Sequence, residues 1–126
     1  MTDSLREKLV YTCKDVCNLN LSEAEQDNYP YVVFDMTTSP LKDKDGIYAY
    51  SGDTSIRIVG TVLSALETLR SSIESAIETG MRNESFSSTL ADVNEECTDG
   101  IWTIELNYTL KQYADWSEPV ETTNTD

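Results

Sequence analysis

The sequence predicts an α+β domain: a four-stranded antiparallel sheet with two helices packed on one face, in the order α-β-β-α-β-β. Two observations carry that prediction. Within residues 62–79, Val62, Leu66, Leu69, Ile73, Ala76 and Ile77 recur at helical spacing and form one apolar stripe. From Trp102 onward the pattern switches to period two. Trp102, Ile104, Leu106, Tyr108 and Leu110 alternate with Thr103, Glu105, Asn107, Thr109 and Lys111. Such a strand has one dry and one wet face, as in an antiparallel sheet covered on one side only.

Residues 4–17 read as the first helix. Ser4 is placed to cap it, with Glu7 three positions on to complete a capping box. Leu5, Leu9, Cys13, Val16 and Cys17 make its apolar face. Residues 18–29, with Glu23, Glu25 and Asp27, read as a polar connection.

The stretch Tyr29-Pro30-Tyr31-Val32-Val33-Phe34-Asp35-Met36 reads as a strand. Its β-branched and aromatic side chains suit a half-buried pleated surface, and Pro30 fits a first position where no ladder donor is lost. Residues 39–46 carry turn chemistry in Pro40, Asp43, Asp45 and Gly46 and read as a loop. Residues 47–60 read as a second strand, interrupted near Ser51-Gly52-Asp53. Its core part is Ser55-Ile56-Arg57-Ile58-Val59. Residues 30–38 and 54–60 are expected to pair antiparallel, with Ile47, Tyr48 and Tyr50 on an arm or loop.

For the second helix, Thr61 is the expected cap and Gly80 the expected left-handed terminal residue. Glu67, Arg70, Glu74 and Glu78 fall on its wet side. Residues 86–96 form a weaker strand around Leu90, Ala91 and Val93, irregular enough to imply a bulge. Asp99-Gly100 then signals a tight hairpin into the last strand. Residues 1–113 make one domain, and 114–126 lack periodicity and read as a flexible acidic tail. At 126 residues the chain is long enough for one core and too short for two.

Composition narrows the function. The chain has 23 acidic against 9 basic residues, no His, and a formal net charge of −14. That charge repels the phosphate backbone and anionic membranes at long range, which argues against DNA binding through a basic patch. It also serves solubility. Without His, neither a Ser–His–Asp nor a Cys–His arrangement can form within the chain, and no carboxylate pair stands on an apolar background. The expectation is a protein that is not an enzyme.

The three cysteines, Cys13, Cys17 and Cys97, lack the C-x-x-C spacing of a zinc site, and Cys13 and Cys17 read as reduced core residues. No apolar run is long enough to span a bilayer, and residues 1–4 lead straight into a charged helix without a signal-peptide pattern. Asp43-Lys44-Asp45-Gly46 resembles half a calcium loop, but Leu41 and Gly52 stand where further ligands belong, so it reads as a surface turn. No nucleotide-binding glycine motif is present. Neither cofactor nor metal is expected.

Exposed aromatics on a projecting arm are enriched at protein interfaces. Leu41, Ile47, Tyr48, Tyr50 and Trp116 are therefore the candidate contact residues, although the tyrosines would equally well complete the sheet core.

The ordered set of elements resembles the tail-completion, or tail-terminator, proteins at the head–tail joint of long-tailed bacteriophages. The matching pieces run from Leu5 to residue 113. They are an N-terminal helix, the Pro30-Tyr31-Val32-Val33-Phe34 opening of the first strand, and Ile56-Arg57-Ile58-Val59-Gly60 running into a long helix. The last piece is the alternating Ile101-Trp102-Thr103-Ile104-Glu105-Leu106-Asn107-Tyr108. Residues 47–53 and the acidic 92–99 hairpin depart from the pattern.

The resemblance implies a structural virion protein assembling as a ring, usually six-fold. It would contact tail-tube and head-connector proteins, with DNA passing through the lumen unbound and no membrane partner. It implies a virion location at the head–tail junction, after assembly in the host cytoplasm. Acids lining such a lumen would keep DNA from adhering. The alternative from another class is an acidic DNA mimic that inhibits a nucleic-acid-binding enzyme. A mimic needs acids in a regular double row, and here they scatter over loops, helices and the tail.

Overall fold

The computed structural model describes residues 4–17, 19–21 and 29–114. It contains α1 (Leu5–Thr12), β1 (Leu19–Leu21), β2 (Tyr31–Asp43), β3 (Gly46–Gly60), α2 (Leu63–Gly80), β4 (Phe86–Thr98) and β5 (Ile101–Gln112). The strands stand in the order β1-β2-β3-β5-β4. The expected four-stranded antiparallel sheet with two helices is present as β2, β3, β5 and β4. A three-residue strand, β1, adds a parallel edge, with Leu19, Asn20 and Leu21 opposite Val32, Val33 and Phe34. It lies in the stretch read from sequence as a connection.

One parity of β2, β3 and β5 builds most of the core, and β4 adds Phe86. Val32, Phe34 and Met36 from β2, Ile56 and Ile58 from β3, and Ile104, Leu106, Tyr108 and Leu110 from β5 face inward. Leu5, Leu9 and Cys13 from the first helical segment and Leu66, Ile73 and Ile77 from α2 close over them. Each large side chain so buried contributes roughly 1.5–3 kcal/mol. Gly52 lets α1 come down on the sheet, since a Cβ there would lie 2.8 Å from Leu5 Cδ2.

The opposite face is polar over most of its area. Arg57 pairs with Asp35 at 3.0 Å, and Asn107 bridges Ser55, Asp92 and Glu105 across three strands. It is not wholly wet, however. Val33 and Val59 are only 4% and 8% exposed there. They sit beside Tyr31, which is paired with Val59 and stacked on Tyr29 at 5.7 Å.

Several local expectations change. The helix α1 ends at Thr12, and residues 13–16 continue as turns that still bring Val16 and Cys17 to the core. Ser4 makes no capping bond, because its hydroxyl is taken by Gln112. Neither does Thr61 cap α2, where Val62 occupies the N-cap and is 57% exposed rather than part of the stripe. Gly80 is the last helical residue and is not left-handed. Its hydrogen side chain faces Thr12, whose Cγ2 would stand 2.7 Å from a Cβ, so it serves the crossing of the two helices.

Pro30 precedes β2, through a cis Tyr29–Pro30 bond. β2 then runs to Asp43, so most of the 39–46 loop is strand. β3 continues without a break through Ser51, Gly52 and Asp53, paired with Ser39, Thr38 and Thr37. The bulge in β4 falls between Leu90 and Asp92. Asp99 and Gly100, both at positive φ (53° and 79°), form the two-residue turn into β5, as Asp-Gly favours.

Candidate assembly surfaces

The hairpin of β2 and β3 outreaches the rest of the sheet. Pairing of β3 with β5 begins at Tyr50, opposite Gln112, so residues 46–49 have only β2 beside them. On the other flank β1 ends opposite Phe34, leaving the β2 edge from Met36 to Asp43 without a partner strand among the described residues. The result is a two-stranded arm. Its register slips once, between Leu41 and Lys42. It closes at Lys44 and Asp45, where Asp43 Oδ1 accepts the Asp45 N–H at 2.8 Å and Gly46 takes φ 117°. The half-loop that resembled a calcium site is this turn.

Four of the five candidate contact residues gather on that arm. Ile47 and Tyr48 are 45% and 48% exposed at its tip. Leu41 is half-buried opposite the buried Ala49, and Tyr50 is half-buried opposite Pro40 and Gln112. Ile47 and Tyr48 therefore project from the arm, whereas Leu41 and Tyr50 are half-buried along it. Trp116 and most of the 114–126 segment lie outside the described residues.

A second surface escaped the sequence reading. The helices pack on β3 and β5, and the inner face of β4 runs past them. Leu90 and Val93 are therefore left half-buried at the margin of the core. Between β4 and α2 lies an open cleft of about 420 Å³, lined by Glu74, Glu78, Arg82, Ser88, Thr89, Leu90 and Tyr108. Glu74 is held by Arg70 at 3.3 Å, and Glu78 faces Arg82 at 3.8 Å, both one helical turn apart. Burial raises the pKa of the Tyr108 hydroxyl, and the carboxylates of Glu74 and Glu78 raise it further. Tyr108 therefore meets the cleft as a neutral phenol.

The outer edge of β4, which has no partner strand among the described residues, is a third surface. An unpaired strand edge invites further pairing unless charge or a bulge blunts it. The distal half of β4 has both, in the Leu90–Asp92 bulge and in the exposed Asp92, Asn94, Glu95 and Glu96.

Cys13 and Cys17 are held as protonated thiols by the core. Burial pushes Cys13 up to about 12, with a further push from Cys17, and pushes Cys17 up to about 11. Among the described residues no helix is long and apolar enough to cross a membrane.

No protein-family model matches the chain, and no curated protein matches it in sequence. Solved structures do match in three dimensions. A chain from the virion of a native gene transfer agent particle superposes with a TM-score of 0.52 at 10% identity, over 84% of both chains. The bacteriophage SPP1 gp17 protein superposes with a TM-score of 0.52 at 16% identity, over 92% of both chains. Along most of its length, then, the chain carries the fold of a gene-transfer-agent virion chain and of a bacteriophage protein.

Proposed function

We propose that this chain is a structural, non-enzymatic protein of a long-tailed phage virion, which completes the tail and joins it to the head connector as a ring, six-fold in the simplest case. The observation that carries the reading is the fold shared with a virion chain over 84% of both sequences. The bacteriophage SPP1 gp17 protein supports it over 92%. The molecule offers what a ring subunit needs: a rigid two-layer body, and an arm that reaches beyond it with apolar side chains at the tip. Its partners are copies of itself, tail-tube proteins and head-connector proteins, and it acts at the head–tail junction after assembly in the host cytoplasm. With a formal charge of −14, such a ring would let DNA pass through its lumen without holding it.

Electron microscopy of particles made without this chain tests the reading. Separate heads and tails are expected, with joining restored by adding the purified protein. Joined, DNA-filled particles in its absence would sink the proposal. Inhibition of a nuclease by equimolar protein would favour the DNA-mimic alternative instead.

A further inference from the structure

We propose that copies of this chain join head to tail, the β2–β3 arm tip of one seating in the α2–β4 cleft of the next. The inference rests on the ring reading above and names its joint. The tip carries Ile47 and Tyr48, about half exposed, with Lys42 and Lys44 beside them. The cleft is lined by Leu90, Tyr108, Glu74, Glu78 and Arg82, with Glu74 paired to Arg70 and Glu78 to Arg82. Both surfaces carry apolar side chains, and both are locally balanced in charge: Lys42 and Lys44 stand beside Asp43 and Asp45 at the tip, and Glu74 and Glu78 beside Arg70 and Arg82 at the cleft.

Charge singles out these surfaces further. Two copies of a −14 protein repel, so contact is favoured where charge is balanced or opposed. At the tip, Lys42 and Lys44 balance Asp43 and Asp45, and one Asp43 oxygen is already occupied by the Asp45 N–H. The distal edge of β4, with its run of acids and its bulge, is the poorer joint.

Topology makes the contact intermolecular. The arm belongs to β2 and β3, whereas the cleft lies across β5 on the far flank of the sheet, between β4 and α2. The tip extends past the Gln112 end of β5, away from Tyr108, so no chain can fill its own cleft. Because tip and cleft are different surfaces, the joint is heterologous. Repeated, it closes into a ring or runs on as a filament, and it cannot stop at a symmetric dimer.

The test uses two full-length variants, each damaging one half of the joint. Tyr48→Asp alters an exposed tip residue, and Ser88→Trp fills the cleft. Far-UV circular dichroism melts confirm that each variant is folded. In sedimentation velocity the wild type is expected to form closed oligomers, while each variant alone stays monomeric. An equimolar mixture should give dimers and nothing larger, since the intact tip of one variant fits the intact cleft of the other only once. Should Ser88→Trp prove unfolded, a Tyr48→Cys, Thr89→Cys, Cys97→Ser chain replaces it, with tip-to-cleft disulfides between copies as the expected readout.

Oligomers formed by either variant as by wild type, or disulfides absent from assembled wild-type-like rings, would overturn the joint while leaving the virion role intact. A wild type that stays monomeric at its solubility limit would overturn it too. Failure of the particle-joining experiment instead removes the virion role and leaves the tip–cleft joint standing.

Discussion

Ser4 and Gln112, 108 positions apart, close on each other through two buried hydrogen bonds. Gln112 Nε2 donates to Ser4 Oγ at 2.9 Å, and the Ser4 N–H donates to Gln112 Oε1 at 3.1 Å. The same amide group also reaches the Ala114 carbonyl at 2.8 Å. One side chain thus ties the start of α1 to the end of β5 and fixes where the arm leaves the body, because Gln112 is the partner of Tyr50. Gln112→Ala leaves the Ser4 N–H buried without that acceptor. The expected cost is about 1–3 kcal/mol in urea unfolding. A variant as stable as wild type would show that this lock does not hold the helix.

The crossing of α1 and α2 makes a second, coupled prediction. A Cβ on Gly80 would press on Cγ2 of Thr12, a β-branched side chain with little freedom to turn aside. Gly80→Ala is therefore expected to destabilise, by about 1–3 kcal/mol, despite the better helix propensity of Ala. Thr12→Ala in the same chain should recover most of that loss. Thr12 Oγ1 is itself buried with no hydrogen-bond partner. Thr12→Val, which keeps the shape and removes the orphaned hydroxyl, should raise the thermal midpoint. Additive effects of Gly80→Ala and Thr12→Ala in a double-mutant cycle would refute the contact.

These two sites show why part of the fold was legible in sequence and part was not. The alternation through β5 and the stripe of α2 are long, and each repeat restates the same burial, so both stood out. Leu19–Leu21 is too short to show any period and is defined only by its neighbour β2. Pro40 read as a loop residue because proline breaks central strands. Yet β2 beyond Phe34 is an edge, where a missing N–H is tolerated. Gly80 carried a terminal signal that tertiary packing reassigned to a helix crossing. Ser4 carried a capping signal that Gln112 claimed from across the chain. The arm residues were visible as aromatics in odd company. The cleft was not, because it is formed by the absence of a helix over β4, and no local pattern records that.

Leu106 lies at the centre of the sheet, opposite Ile56 and Val93 and wholly buried. A carboxylate there would be desolvated among the apolar side chains of the core cluster. Leu106→Asp should abolish the cooperative thermal transition. Leu106→Ala should cost about 2–5 kcal/mol by transfer and cavity together. Retention of the wild-type melting temperature by Leu106→Asp would contradict this placement of β5.

Alkaline pH should weaken the domain through its buried thiols. Burial first, and Cys17 second, raise Cys13 from the ordinary value of 9.0 to about 12. Below pH 9 folded and unfolded chains both keep the Cys13 proton, so this group adds no slope. Between pH 9 and about 12 the unfolded chain releases it while the folded chain keeps it. The unfolded state then binds fewer protons, and stability falls as pH rises. Cys17, raised by burial to about 11, adds to the fall over the lower part of that window. Urea midpoints measured from pH 8 upward should therefore decline above pH 9, and Cys13→Ala should decline less steeply than wild type. Parallel declines in the two proteins would mean that the Cys13 thiol is not held protonated by the core.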